Sequence, residues 1–247
     1  MCFHISNTKK NPRKLEDRFD ATFEDSNLYQ PYYHFNGWEL KNLYIITQDD
    51  PETIQLAKWG VLPSNYDLSN RTDFLKNTNT LNATKERLFE SPLYSQFIDW
   101  QRCLIVADGF FEPHNASYYK GKIPYYFKRP DHSLFAFAGI YNEVENEGKL
   151  TNTASVITTE ANPFFKEIHN SPNKRGSYRM PLILDKKDEY DWLYLKNEKS
   201  DINQLLNTIS SEKLVAYSVS NNVFKNNIDS NTASILDEVE YRPNTLF

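Results

Sequence analysis

Cys2 stands directly behind the initiator methionine. If Met1 is removed, Cys2 becomes the chain end and carries an amine and a thiol on adjacent carbons. An aldehyde condenses with such an amine to a Schiff base, and the thiol then closes on the same carbon to give a five-membered thiazolidine. Alternatively, the amine acts as base for its own thiol, the logic of an N-terminal nucleophile. The reference pKa is about 8 for the amine and about 8.5 for the thiol, so both are partly reactive at neutral pH. A cysteine after methionine is also what chance places there, at an end that keeps Met1 or frays. Its meaning rests on what the rest of the chain brings to it.

Three other side chains have the right chemistry. In Asp108-Gly109-Phe110-Phe111-Glu112, Glu112 follows an apolar strand whose residues could desolvate it and raise its pKa. A tuned glutamate beside an amine shuttles the protons that Schiff-base formation needs, although a glutamate in a surface turn is the commoner occurrence. His169 titrates near neutral pH, but it also ends a predicted helix, where the dipole favours histidine with no further role. Asn82 precedes a predicted helix, the ordinary place for a capping asparagine. Cys103 lies inside an apolar strand and reads as a buried hydrophobe. The histidines, cysteines and carboxylates show no metal-ligand spacing, so no metal is expected. Without a glycine-rich phosphate cradle or a Gly-x-Ser-x-Gly elbow, no cofactor is expected either.

The composition limits the setting. Two cysteines in 247 residues make no disulfide framework, which points to a reducing compartment. No signal-peptide pattern opens the chain, and no apolar run approaches the ~18 residues of a membrane span. A soluble cytoplasmic protein follows, expected as a monomer. The formal net charge of −5 means that a nucleic-acid partner would require basic residues gathered on one face. Local clusters do occur, Lys9, Lys10, Arg13 and Lys14, then Lys166, Lys174, Arg175 and Arg179, though each alone reads as a solvated surface.

The elements that must position these residues follow from periodicity and turn chemistry. Helices are predicted from Pro12 to Phe23, from Glu86 to Trp100 with a break at Pro92, from Pro163 toward His169 behind an Asn162 N-cap, from Lys187 to Leu195 and from Ile202 to Ile209. Strands are predicted over Leu43 to Thr47, Trp59 to Pro63, Arg102 to Ala107, Pro124 to Lys128, Leu134 to Ile140, Ser155 to Thr159, Leu182 to Leu184 and Leu214 to Val219. The two strands of the 124–140 region form a meander, residues 64–80 a polar loop, and the chain after 220 an irregular tail. Strands in runs with helices inserted predict a single α+β domain over 1–247, with a largely antiparallel sheet, either open or closed on itself.

Taken in order, these fragments resemble the SRAP family (SOS-response-associated peptidase, the abasic-site processing proteins). The similarity is carried by Met1-Cys2, Trp59-Gly60-Val61-Leu62-Pro63, Asn82-Ala83 with Glu86, and Arg102 through Glu112. Ile157-Thr158 with Ala161-Asn162, Ile168-His169 and Arg179-Met180-Pro181 complete it. The resemblance spans roughly residues 1–220 and implies a barrel-like α+β domain with a basic groove for single-stranded DNA. It implies that Met1 is removed, by self-processing or an aminopeptidase. Cys2 then traps the aldehyde of an abasic site as a thiazolidine, so the protein works as an autopeptidase and lyase-like DNA-capture protein of the DNA damage response. It implies that Asn82 orients the Cys2 amine, that Glu112 handles protons, and that His169 protonates the sugar oxygen. Trp59, Thr158 and Arg179 are implied to contact the DNA.

The chain departs from the family pattern at His4 and Thr84, where arginine is usual, and at Pro113, where tryptophan is common. The loop from Asn170 to Tyr178 is long, and its Lys174 and Arg175, with the Tyr178 ring, are candidates to replace the lost DNA contacts. Two other functions fit the same residues: an N-terminal-nucleophile hydrolase with turnover on a small substrate, and a noncovalent DNA binder indifferent to Cys2.

Overall fold

Arg102–Ala107 reads Arg-Cys-Leu-Ile-Val-Ala and is buried along its whole length, as a strand covered on both faces must be. It is the central staple of a sheet built from short apolar strands. In chain order the strands are β1 (His4–Asn7), β2 (Thr22–Phe23), β3 (Tyr32–Asn36), β4 (Asn42–Thr47), β5 (Thr53–Trp59), β6 (Asn82–Thr84) and β7 (Arg102–Ala107). They continue with β8 (Gly109–His114), β9 (Ile123–Lys128), β10 (Phe135–Asn146), β11 (Lys149–Glu160), β12 (Arg179–Pro181), β13 (Ile183–Leu184) and β14 (Val215–Ser218). The helices are α1 (Arg13–Phe19), α2 (Arg71–Asn77), α3 (Pro163–Ile168), α4 (Lys186–Tyr194) and α5 (Lys199–Leu205). The structure is a computed structural model and describes residues 2–39, 41–146, 148–173, 175–194, 199–206 and 214–242.

Strands β11, β10, β7, β4 and β5 pair in that order, and a parallel β5–β11 pairing, Asn152 to Ala57 through Ala154 to Trp59, closes them into a five-stranded barrel. Closure removes the free edges of this sheet. A second sheet of five strands, in the order β14-β9-β8-β1-β3, runs off the barrel where the chain passes from β7 into β8. The hinge is Asp108. Its carboxylate accepts hydrogen bonds from Ser6 Oγ (2.7 Å), Thr8 N (2.8 Å) and Thr8 Oγ1 (2.5 Å), so a buried charge is satisfied by β1 and the residue after it. Next to it Gly109 lies flat against the Tyr126 ring, where any side chain would collide. These contacts fix β1, and with it the start of the chain, between β3 and β8.

Arg102 is fully buried. Its guanidinium donates to the carbonyls of Trp192 (2.7 Å), Ile98 (3.0 Å) and Asp99 (2.8 Å), joining the barrel to α4 and to the turns before β7. Arg102→Ala leaves a void and removes the donors that satisfy three carbonyls, at a cost of about 3–5 kcal/mol. Urea unfolding measures it, and a loss under about 1 kcal/mol would contradict this role.

Several sequence expectations are corrected. The first helix stops at Phe19 because Asp20 turns left-handed (φ 52°) and Glu16 Oε1 accepts the Phe23 amide (3.1 Å), starting β2. The polar 64–80 stretch contains α2, held by buried Leu75 and Arg71. Residues 85–100 form a short 3-10 turn and a series of turns in place of a helix, while Leu88, Phe97 and Ile98 still reach the core. Trp59 ends β5, since Gly60 takes φ 104°. Strands β9 and β10 do not pair; β9 joins β8 and β14, and β10 joins the barrel. The region after 220 is ordered by 3-10 turns and a Val219–Glu238 bridge. The ends of the last two predicted helices, Leu195 and 207–209, lie outside the described residues. Among those described, no helix is long and apolar enough to cross a membrane, and no three metal-ligating side chains gather.

Candidate functional site

The first residues enter the fold as strand β1, and that places Cys2 inside it. Cys2 is fully buried, with its Sγ directed at the His4 carbonyl (3.8 Å). Asn82, on β6 beside β11, donates from Nδ2 to the Cys2 carbonyl (2.9 Å). Glu112 sits within β8, a strand where the sequence suggested a turn, and is 1% exposed. Its Oε2 lies 3.4 Å from Nδ1 of His169, which caps the C-terminal end of α3. That Nδ1 also lies 3.0 Å from the Pro113 carbonyl, so it carries the ring proton and leaves Nε2 as the lone-pair nitrogen. Helix α3 starts as its sequence prescribes, with the Asn162 side chain accepting the Phe165 amide (2.8 Å).

Glu112 and His169 line a cavity of about 590 Å³ together with Phe3, His4 and Arg179 among others, while Cys2 itself is buried beside Phe3 in the chain. Burial pushes the Cys2 thiol well up, and the Glu112 charge pushes it further, so sulfur is held as neutral thiol. Burial lowers the His169 pKa against the pull of Glu112. His4, also on the cavity lining, has its Nδ1 2.8 Å from His34 Nε2, and His34 Nδ1 is 2.5 Å from Ser230 Oγ. Burial brings His4 down to about 4 and His34 to about 3. Both are therefore neutral in the folded protein near pH 7 and protonate in the unfolded chain below about 6.5. Unfolding takes up protons in that window, so stability is full above it and falls on acidification, by on the order of 2 kcal/mol per histidine between pH 7 and pH 5. Urea midpoints at the two pH values test this, and an unchanged or higher midpoint at pH 5 would contradict it.

A family model described as SOS response associated peptidase (SRAP) matches residues 1–226. The chain belongs to the SRAP family. It is 32% identical over 225 residues to abasic site processing protein YoaM of Bacillus subtilis, covering 90% of this chain and 91% of that one. It is 31% identical to abasic site processing protein YoqW of the same organism, over 86% of this chain and 94% of the relative. A crystal structure of a protein from Bacteroides thetaiotaomicron superposes with a TM-score of 0.84 at 29% identity, covering 97% of this chain and all of that one.

The other residues that the SRAP resemblance singles out are placed unevenly. Arg179 lines the cavity, but its Nη1 is bound to Glu86 (2.9 Å) and its Nη2 to the Thr158 carbonyl (2.6 Å). Thr158 is fully buried on β11, and its hydroxyl has no partner among the described residues. Trp59 corrects the expectation of a DNA contact. It is fully buried, its indole N–H donates to the Leu81 carbonyl (2.8 Å), and its ring packs on Phe35, so neither face is open to a base. Arg175 is exposed, and Lys174 lies outside the described residues. Asn82 sits on a strand rather than at a helix start, and it holds the Cys2 carbonyl where the resemblance implied the amine. Sequence reasoning missed His34, whose only local signal was an imidazole in a Tyr-rich stretch. It also passed over Lys120 and Lys122, which line the same cavity.

Proposed function

We propose that this chain processes abasic sites in single-stranded DNA by covalent capture on Cys2. The observation that carries the reading is a linked set of residues far apart in sequence: Asn82 Nδ2 donates to the Cys2 carbonyl, the Glu112 charge reaches the Cys2 thiol, and Glu112 Oε2 lies 3.4 Å from His169 Nδ1, with Glu112 and His169 on the wall of one cavity. Curated relatives matched over most of their length bear the name abasic site processing protein.

Removal of Met1 by hydrolysis frees the Cys2 amine. Neutral His169 takes the hydroxyl proton of the hemiacetal sugar at Nε2 as the C1′–O4′ bond breaks, and returns it to O4′, leaving an aldehyde at C1′. This reverses the order expected from the resemblance, because burial disfavours a protonated imidazole at the outset. The amine adds to C1′, and the carbinolamine loses water to an imine, with Glu112 carrying the proton between nitrogen and the leaving hydroxyl. Held neutral, the thiol acts last. Its sulfur adds to C1′, its proton goes to the imine nitrogen through Glu112, and the thiazolidine closes. The net change is protein plus DNA minus one water.

Intact mass spectrometry of the cell-made protein, mixed with a single-stranded oligonucleotide treated with uracil glycosylase, tests the proposal. The expected result is a chain lacking Met1 and a heat-stable species at the summed mass less one water. Retention of Met1, or its loss without an adduct, would overturn it.

A further inference from the structure

Two histidines and a serine form a line of hydrogen bonds that the capture steps leave unused. His4 Nδ1 lies 2.8 Å from His34 Nε2, and His34 Nδ1 lies 2.5 Å from Ser230 Oγ. The two rings are 13° from coplanar, with centroids 5.0 Å apart. With the nitrogens in contact, that spacing sets the rings end to end, so the bond between them runs in both ring planes. Phe224 meets the His4 ring at 5.3 Å and Phe111 meets the His34 ring at 5.2 Å, both edge-on, and these contacts keep the line straight. Strand β1, strand β3 and the stretch after β14 each supply one member.

The line has an inner and an outer end. At the inner end His4 lines the cavity, and no partner among the described residues occupies its Nε2. At the outer end Ser230 is 9% exposed, next to the exposed Asp229. Burial keeps both rings uncharged, and at His34 the His4 ring and the Lys41 charge add to that effect. A neutral imidazole carries one N–H and one lone pair, so the line has two arrangements of equal net charge. In the first, His4 Nδ1 donates to His34 Nε2, His34 Nδ1 donates to Ser230 Oγ, and His4 Nε2 offers a lone pair to the cavity. In the second, every proton has moved one place outward and His4 Nε2 carries the proton. Passing from first to second takes one proton from the cavity and releases one at the Ser230 hydroxyl.

We infer that His4, His34 and Ser230 form a proton relay that carries the surplus proton of the Cys2 ammonium from the cavity to solvent. The inference rests on covalent capture by the Cys2 amine. That amine, with a reference pKa of about 8, is mostly protonated at pH 7 and must be neutral to add to C1′. Cys2 precedes His4 by two residues, and its Sγ already points at the His4 carbonyl (3.8 Å). The ammonium N–H bond breaks, its electron pair stays on nitrogen, and His4 Nε2 takes the proton. His4 Nδ1 gives its proton to His34 Nε2, His34 Nδ1 gives its own to Ser230 Oγ, and the hydroxyl proton leaves to water. Neither ring ends charged, and one passage serves one capture. Glu112 and His169 move protons within the cavity; the relay is the way out of it.

The test is the single-turnover capture rate of His4→Ala at pH 7 on an abasic single-stranded oligonucleotide, with imidazole or N-methylimidazole added. The variant alone is expected to be about 10²-fold slower than the wild type. Imidazole restores the rate in proportion to its concentration, because it accepts a proton at one nitrogen and hands on another. N-methylimidazole fills the same space and accepts a proton but has none to hand on, so it gives no rescue. An unchanged rate in the variant, equal rescue by both compounds, or rescue by neither would each overturn the relay while the adduct stands. A second measurement needs no variant. The wild-type rate is expected to fall along a curve as deuterium replaces hydrogen in the water, since several protons move together, and a linear fall would overturn the relay. Wild-type protein that forms no adduct would overturn the covalent reading and the relay with it.

Discussion

Cys2→Ala forms no heat-stable adduct with an abasic oligonucleotide, a loss on the order of 10³-fold or more in stable capture. The reason is specific to the order of steps. The alanine variant keeps its terminal amine once Met1 is gone, so the imine still forms, but nothing closes on C1′. That imine is trappable by borohydride and, left alone, permits β-elimination at the 3′ phosphate. The variant therefore trades a sealed lesion for strand cleavage. Losing one buried sulfur costs about 1 kcal/mol, so a folded variant is expected and circular dichroism checks it. A heat-stable adduct on the alanine variant would sink the thiazolidine mechanism, and absence of the borohydride-trapped species would sink the amine's role.

Glu112→Gln slows capture about 10²–10³-fold, because the amide is of the same size but carries no proton between nitrogen, hydroxyl and sulfur. Its effect on pH dependence separates this from a structural role. The Glu112 charge raises the His169 pKa against burial, which keeps it below 6.5. Capture needs His169 neutral at the start, so the wild-type rate falls on the acid side below pH 6.5. Removing the carboxylate leaves burial and the Lys122 charge opposed only by the Pro113 hydrogen bond, and the acid limb moves to lower pH. Single-turnover rates by gel shift across pH 4.5 to 8 measure both effects. A limb that stays in place, or rises toward 6.5, would show that Glu112 does not face His169 in the working enzyme.

How far the site was legible depends on whether its partners were local. The segment from Arg102 to Glu112 declared itself by composition, yet it read as strand and turn. Its continuation through Asp108 into β8 depends on Ser6, Thr8 and Tyr126, which no local pattern links to it. Helix α2 was hidden in a polar stretch because its anchors are Leu75 and the Arg71 guanidinium on the carbonyls of Gly37 and Trp59. Cys2, Asn82, Glu112 and His169 were singled out by residue type and by family resemblance, and the fold links them through the Asn82–Cys2 hydrogen bond, the Glu112 charge on the Cys2 thiol and the Glu112–His169 contact. The charges were allotted less well. Arg179 looked like a phosphate ligand because Glu86, which occupies it, lies 93 residues away in the chain. Barrel closure through parallel β5 and β11 leaves no mark in either strand's own sequence.

The stretch beyond residue 226, where the family match ends, does one more thing. Strand β3 is the outermost strand of its sheet, with a row of amides facing away from β1. Asn231 Oδ1 accepts two of them, from Tyr33 (2.8 Å) and His34 (3.3 Å), and Ser230 meets the His34 ring. A single asparagine side chain thus stands in for a neighbouring strand and denies that edge to another molecule. Residues 230 and 231 cover the β3 edge, and a chain cut after 226 is expected to expose it to edge pairing, which size-exclusion chromatography of the truncated chain against the whole one would show.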